Sequence, residues 1–98
     1  MSLSLWFHPD AETELNEAAD YYALQGPGLD RRFIAEIERA LAQAAEFPEV
    51  SAIAFDRVRR KILLRFPYSL MYSVTNSTVR VLAVAHHKRR PFYWQNRS

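Results

Sequence analysis

Apolar positions along the chain follow a helical period in the first half and a period of two in the second. Leu3-Ser4-Leu5-Trp6-Phe7 is a short apolar run of strand length. His8-Pro9-Asp10 closes it. Pro9 suits a first helical position, and Asp10 suits a cap if the helix begins one residue later. Ala11, Leu15, Ala18, Ala19 and Tyr22 then recur at helical spacing, with Glu12, Glu14, Glu17 and Asp20 mostly off the stripe. This predicts an amphipathic helix with an acidic outer face. Gly26-Pro27-Gly28 ends it, because glycine admits positive φ and proline has no amide hydrogen. A second helix is predicted from Leu29 to Phe47, with Phe33, Ile37, Ala40, Leu41 and Ala44 as its stripe and Ile34 beside it. Pro48 stops it. So short a break makes the two helices an antiparallel hairpin.

Glu49 to Asp56 shows no period and reads as a connector. Beyond it Val58, Arg60, Ile62 and Leu64 alternate with Arg59, Lys61, Leu63 and Arg65, one face mostly apolar and the other mostly basic. Phe66-Pro67 marks a turn. Ser69 to Thr75 is the next strand, and Asn76-Ser77-Thr78 has the composition of a hairpin turn. Val79 to Ala85 is apolar on both faces except at Arg80, which predicts a strand inside the sheet. Strands joined by short turns make an antiparallel meander, and the helical hairpin is the cover available for one face. The predicted fold is α+β, in the order β-α-α-β-β-β, as one domain spanning residues 1–98. Leu64, Leu70, Tyr72, Val81 and Ala83 are expected to be buried.

Charge divides the chain. Residues 1–56 carry eleven acids against three arginines, a net of −8, while residues 57–98 carry ten cations and no acid, a net of +10. The overall +2 conceals this. A segregated basic half suits an acidic partner, either nucleic acid or an acidic protein segment. With no cysteine there is neither a disulfide nor a thiolate site. No secretory signal and no run long enough to span a membrane is present, so a cytoplasmic protein without membrane contact is expected.

The densest candidate chemistry is His86-His87-Lys88-Arg89-Arg90, followed by Tyr93 and Trp94. Strand alternation puts Arg80 and His86 on one face, and with Lys61 and Arg65 these residues can form a basic groove with aromatics for stacking bases. The plainer reading is a solvated basic tail whose Trp94 packs on the core. RNA cleavage needs a base, an acid and cations, for which His86 or His87, Lys88, Arg89 and Tyr93 are chemically adequate. Many small basic domains hold such a set. Arg57, Arg59, Arg60 and Lys61 form a second basic run, with nucleic-acid contact or a solvated edge as its two readings. Arg80 either reaches a helix carboxylate such as Glu36 or belongs to the active face. Adjacent histidines on a strand point to opposite faces, with no Cys, Asp or Glu nearby, so no metal is expected. No phosphate loop or nucleophile elbow is present, and no cofactor is expected.

His8-Pro9-Asp10-Ala11 opening an acidic helix, Tyr21-Tyr22 before a glycine break, and Phe33 in the second helix resemble the RelE/ParE toxin superfamily. So do Arg65-Phe66-Pro67-Tyr68-Ser69-Leu70-Met71-Tyr72 and the stretch from Val79 to Pro91. The resemblance covers nearly the whole chain. It implies the toxin half of a bacterial type II toxin–antitoxin pair, associated with growth inhibition and plasmid stabilization. A cognate antitoxin, ParD-like or similar, would be encoded nearby and wrap the toxin with its C-terminal segment. RelE-like members cut mRNA on the ribosome, whereas ParE-like members inhibit DNA gyrase. In a nuclease, Lys88, Arg89, His87 and Tyr93 would be catalytic. In either branch Arg60, Lys61, Arg65, Arg80 and Arg90 would contact the target or nucleic acid. Ser69 stands where RelE-like nucleases carry an arginine, and the Arg-Phe-Pro-Tyr and His-x-x-Arg-Arg-x-Pro patterns lean to the ParE-like branch. The expectation is a ParE-like gyrase inhibitor. The alternatives are a RelE-like nuclease and an inactive homologue that only binds antitoxin.

Overall fold

Ser4 to Phe7 form the first strand, β1, in a computed structural model that describes residues 3–98. Helix α1 (Pro9–Gln25) follows with Pro9 in its first turn. Its cap is His8 rather than Asp10: the Asp10 amide donates to His8 Nδ1 at 3.0 Å. Gly28 precedes α2 (Leu29–Glu46) at φ 79°, a left-handed conformation that other residues adopt with strain. The stripe of α2 is buried as its spacing predicts, from Phe33 and Ile37 through Ala40, Leu41 and Ala44. Four strands follow: β2 (Ala52–Phe55), β3 (Val58–Ile62), β4 (Tyr68–Thr75) and β5 (Thr78–His86).

The strands lie in the order β1-β5-β4-β3-β2. The meander β2 to β5 is antiparallel, and β1 adds to it in parallel beside β5. The α+β architecture and the placement of β5 inside the sheet agree with the sequence. The connector read from Glu49 to Asp56 instead contains β2, a short edge strand. Ala52 pairs with Arg60 and Phe55 with Val58, with an irregularity between Ile53 and Phe55 that erases the period of two.

The helical hairpin covers one face of the sheet. Phe33, Ile37, Ala40 and Ala44 meet Leu70, Tyr72, Val79, Val81 and Val84 there. Tyr72 is wholly buried, and its hydroxyl donates to the Pro48 carbonyl at 2.7 Å, which ties the end of α2 to the sheet. Tyr22, Phe33, Phe66 and Tyr68 form an aromatic cluster at one end of this layer, with ring centroids 5.0–6.3 Å apart. The other face is partly closed by Trp94, which packs with Met71, Ala83 and Ala85.

Two expectations from alternation fail, each for a local reason. Leu64 is 60% exposed and Leu63 is buried instead. Arg59 and Lys61 pair with Tyr72 and Leu70, so the mostly basic face of β3 is the one on the hairpin side, and Leu63 extends it into the core. Both cations are only half-buried, in a strand flanked on its outer side by the short β2. Arg59 Nη1 donates to the carbonyls of Ser51 at 2.7 Å and Glu49 at 3.2 Å. Secondly, Met71 pairs with Ala83 but Tyr72 pairs with Val81, so Leu82 is an extra residue in β5. That bulge reverses the alternation. Val84 and His86 share a face with Val81, and Arg80 lies on the opposite face from His86.

Candidate functional site: a basic cleft and its C-terminal wall

On the face away from the hairpin, the ends of β2 to β5 and the residues after β5 enclose a cleft of about 480 Å³. Its floor is Ser69, Met71 and Ala85, and its sides are Arg60 and Ile62 from β3 and His87, Arg89, Arg90, Phe92, Tyr93 and Trp94 from the tail. The pairing explains the floor, since Arg60 lies opposite Met71, Ile62 opposite Ser69 and Ser69 opposite Ala85. Ser69 is the one buried polar residue among the described residues. Its hydroxyl accepts from Arg60 Nε at 3.1 Å and lies 3.0 Å from His87 Nε2. Ser69 therefore fixes the cation of one strand and the imidazole after another beneath the open cleft.

The tail wall is fastened from the other side of β5. Strand β1 ends at Phe7, opposite Val81, and the His8 amide donates to Val81 O at 2.9 Å. Beyond that point β5 has no strand neighbour on that edge among the described residues. Two side chains substitute for one: Glu14 Oε1 accepts from the Val84 amide at 3.0 Å, and Arg97 Nη1 donates to Leu82 O at 3.0 Å. The two also pair with each other, Arg97 forking onto the Glu14 carboxylate at 2.9 and 3.0 Å. Tyr93 donates its hydroxyl to Glu14 Oε2 at 2.8 Å. The guanidinium of Arg89 covers the Tyr93 ring at 3.9 Å. Burial, then the hydrogen bond and charge of Glu14, push the Tyr93 phenol well above its ordinary value, partly opposed by Arg89 and Arg97.

Of the residues singled out from sequence, Arg60, His86, His87, Arg89, Arg90, Tyr93 and Trp94 line the cleft, although the His86 ring packs edge-on against Tyr68. Lys88 is exposed in the turn after β5, and its amide donates to His86 Nδ1 at 3.0 Å. That bond needs an unprotonated nitrogen. Burial, His87 and Lys88 likewise lower the His86 pKa. The predicted groove joining Lys61, Arg65, Arg80 and His86 does not form. Lys61 lies on the hairpin side, and Arg65 occupies a left-handed turn at φ 69°. That turn adjoins Glu36, whose carboxylate accepts from the Leu64 amide at 2.7 Å and from a forked Arg39. Arg80 is on the cleft's face of the sheet but stacks on Trp6 at 4.1 Å, and it does not reach Glu36.

Sequence reasoning passed over Glu14, Arg97 and the role of Ser69 as a hub. A signal for Glu14 was present: three residues after Ala11 and four before Ala18, it flanks the apolar stripe rather than the acidic face. The cleft combines cations with an aromatic and aliphatic rim, including exposed Ile53, Ile62 and Phe92. Such a surface suits a macromolecular partner with acidic and apolar groups.

Residues 5–91 match the family model described as the ParE toxin of the type II toxin–antitoxin system parDE. The chain belongs to the ParE toxin family. It is 29% identical over 92 residues to Toxin ParE2 of Mycobacterium tuberculosis, in strain CDC 1551 / Oshkosh and in strain H37Rv alike, covering 93% of this chain and 88% of the relative. A solved structure of the chromosomal ParDE system from P. aeruginosa has the same fold, with a TM-score of 0.73 at 21% identity, over 87% of this chain and 96% of that one. The protein is a ParE-like toxin of a type II toxin–antitoxin system, whose counterpart is a cognate antitoxin. No helix among the described residues is long and apolar enough to cross a membrane.

Proposed function

We propose that this toxin arrests growth from within the cytoplasm by binding DNA gyrase through the basic cleft, without cleaving RNA. Residues 1–98 act in this reading as a single toxin domain. A ParD-like or similar antitoxin encoded nearby neutralises it, an acidic segment folding over the basic half. The observation that carries the reading is the engagement of the cleft's acid–base groups. The Tyr93 hydroxyl donates a hydrogen bond to Glu14 Oε2 at 2.8 Å, and His87 Nε2 lies against the buried Ser69 hydroxyl. Phosphodiester cleavage asks for a free base and a free acid within reach of the substrate. Arg60, Arg89 and Arg90 offer charge but no proton traffic at neutral pH.

The test is induction of the toxin without its antitoxin, with RNA 5′ ends mapped genome-wide and DNA damage signalling followed in the same culture. Damage signalling with no new RNA ends is the expected result. New ends inside translated codons, lost on Arg89→Ala, would replace this reading with a ribosome-dependent nuclease.

A further inference from the structure

We infer that Glu14 is a positioning residue for the toxin's inhibitory surface: through Arg97 and Tyr93 it holds residues 89–97 in place as the C-terminal wall of the cleft. The inference rests on the cleft being that surface. Residues 87–98 contain turns but no helix or strand. From Arg89 onward their backbone hydrogen bonds reach no further than three residues along the chain, as in Tyr93 to Arg90, Gln95 to Phe92 and Arg97 to Trp94. Phe92 sits at φ 60°, a conformation that a free peptide leaves readily. Side chains must therefore impose the tail's path. Trp94 supplies burial, which is non-directional. Direction comes from the Glu14 carboxylate, which receives both nitrogens of the Arg97 fork and the Tyr93 hydroxyl.

The same carboxylate answers a need of the sheet. Beyond the end of β1 at Phe7, on that edge of β5, the Val84 amide requires an acceptor and the Leu82 carbonyl a donor, and Glu14 and Arg97 supply them. Both side chains are largely buried, at 11% and 15% exposure. A buried forked ion pair loses far more when one partner is removed than an exposed one does. Glu14 is outside the cleft lining, so it acts through the residues it holds.

The experiment uses the full chain with Glu14→Gln, Arg97→Met, the double variant, Arg97→Lys and, as control, the exposed neighbour Glu17→Ala. Growth arrest is read as the inducer level needed, at matched levels of folded protein. Tail order is read as the rate of tryptic cleavage after Lys88 and Arg89, since the bond before Pro91 resists trypsin. We expect each single variant to raise both the inducer requirement and the cleavage rate at least tenfold. The double variant should be no worse than either single, Arg97→Lys intermediate, and Glu17→Ala unchanged. Arg97→Met leaves the Glu14 bond to Val84 intact, so it carries the test if Glu14→Gln fails to fold. Fast cleavage with undiminished growth arrest would overturn the inference, as would slow cleavage in both singles. Growth arrest is indifferent to the target, so a wild-type toxin that arrests growth but leaves gyrase untouched would sink the gyrase reading alone.

Discussion

Replacing Tyr93 by phenylalanine separates a phenol that ties the tail down from one that moves a proton in catalysis. The substitution deletes the hydroxyl and leaves the ring under Arg89 and Arg97. The lost bond is a 2.8 Å contact from a partly buried hydroxyl to a carboxylate. Hydrogen bonds to charged groups contribute about 1.5–3 kcal/mol, and the partial exposure of Tyr93 puts it near the lower figure, about 1.5 kcal/mol. That is roughly tenfold in the equilibrium between ordered and released tail. Carried into global unfolding of a domain this size it is roughly 6–12 °C in Tm. Glu14 keeps the Arg97 fork and the Val84 amide, so most molecules retain the wall. Thermal melting should therefore show the loss while growth arrest changes less than about threefold. A proton donor or acceptor in catalysis is worth about 10²–10⁴-fold. A loss of activity in that range, with Tm lowered by less than about 2 °C, would instead give Tyr93 a chemical role.

The raised Tyr93 pKa gives that bond a pH signature. The hydroxyl stabilises the fold fully below the phenol's ordinary value of 10, and the contribution is lost as pH climbs past it towards the higher folded value. The stability difference between wild type and Tyr93→Phe should be flat to about pH 10 and shrink above it, as followed by denaturant titration. Glu36 behaves in the opposite sense: the Arg39 fork lowers its pKa against the opposing effect of burial, with the Leu64 amide assisting. Its contribution is present above its ordinary value of 4.5 and lost as pH falls below that, so Glu36→Gln should flatten the acid limb of the wild-type stability curve. Leu63→Ala should cost about 2–5 kcal/mol and Leu64→Ala less than about 0.5 kcal/mol, because the first side chain is in the core and the second in solvent. Equal losses in denaturant melts would contradict the orientation of β3.

The helices were legible because their stripes are long and regular. Phe33, Ile37, Ala40, Leu41 and Ala44 are buried as their spacing requires. Leu70, Tyr72, Val81 and Ala83 were legible as buried because β4 and β5 are covered on both faces, so they are buried whichever face they take. Leu64 was misread because the core lies under the mostly basic face of β3: Arg59 and Lys61 sit opposite Tyr72 and Leu70, and Leu63 continues that face inward, which the apolar pattern alone does not announce. The Leu82 bulge was illegible for a related reason: an apolar strand gives no sign of where its alternation reverses. Edge strand β2 is too short and irregular to show a period. At the site, the basic cluster was visible from composition, but which cations share a face depended on the bulge. The Glu14–Arg97 pair joins residues 83 positions apart, and a lone acid on an acidic helix does not announce such a partner.

The proposed target of this ParE-family chain is gyrase rather than RNA. The most direct measurement is DNA supercoiling by purified gyrase in the presence of purified toxin, with and without its antitoxin. Dose-dependent loss of supercoiling is expected, restored by antitoxin and weakened when Arg60 and Arg90 are both replaced by alanine. Full supercoiling activity at toxin concentrations well above that of gyrase, with toxin that still arrests growth in cells, would contradict it.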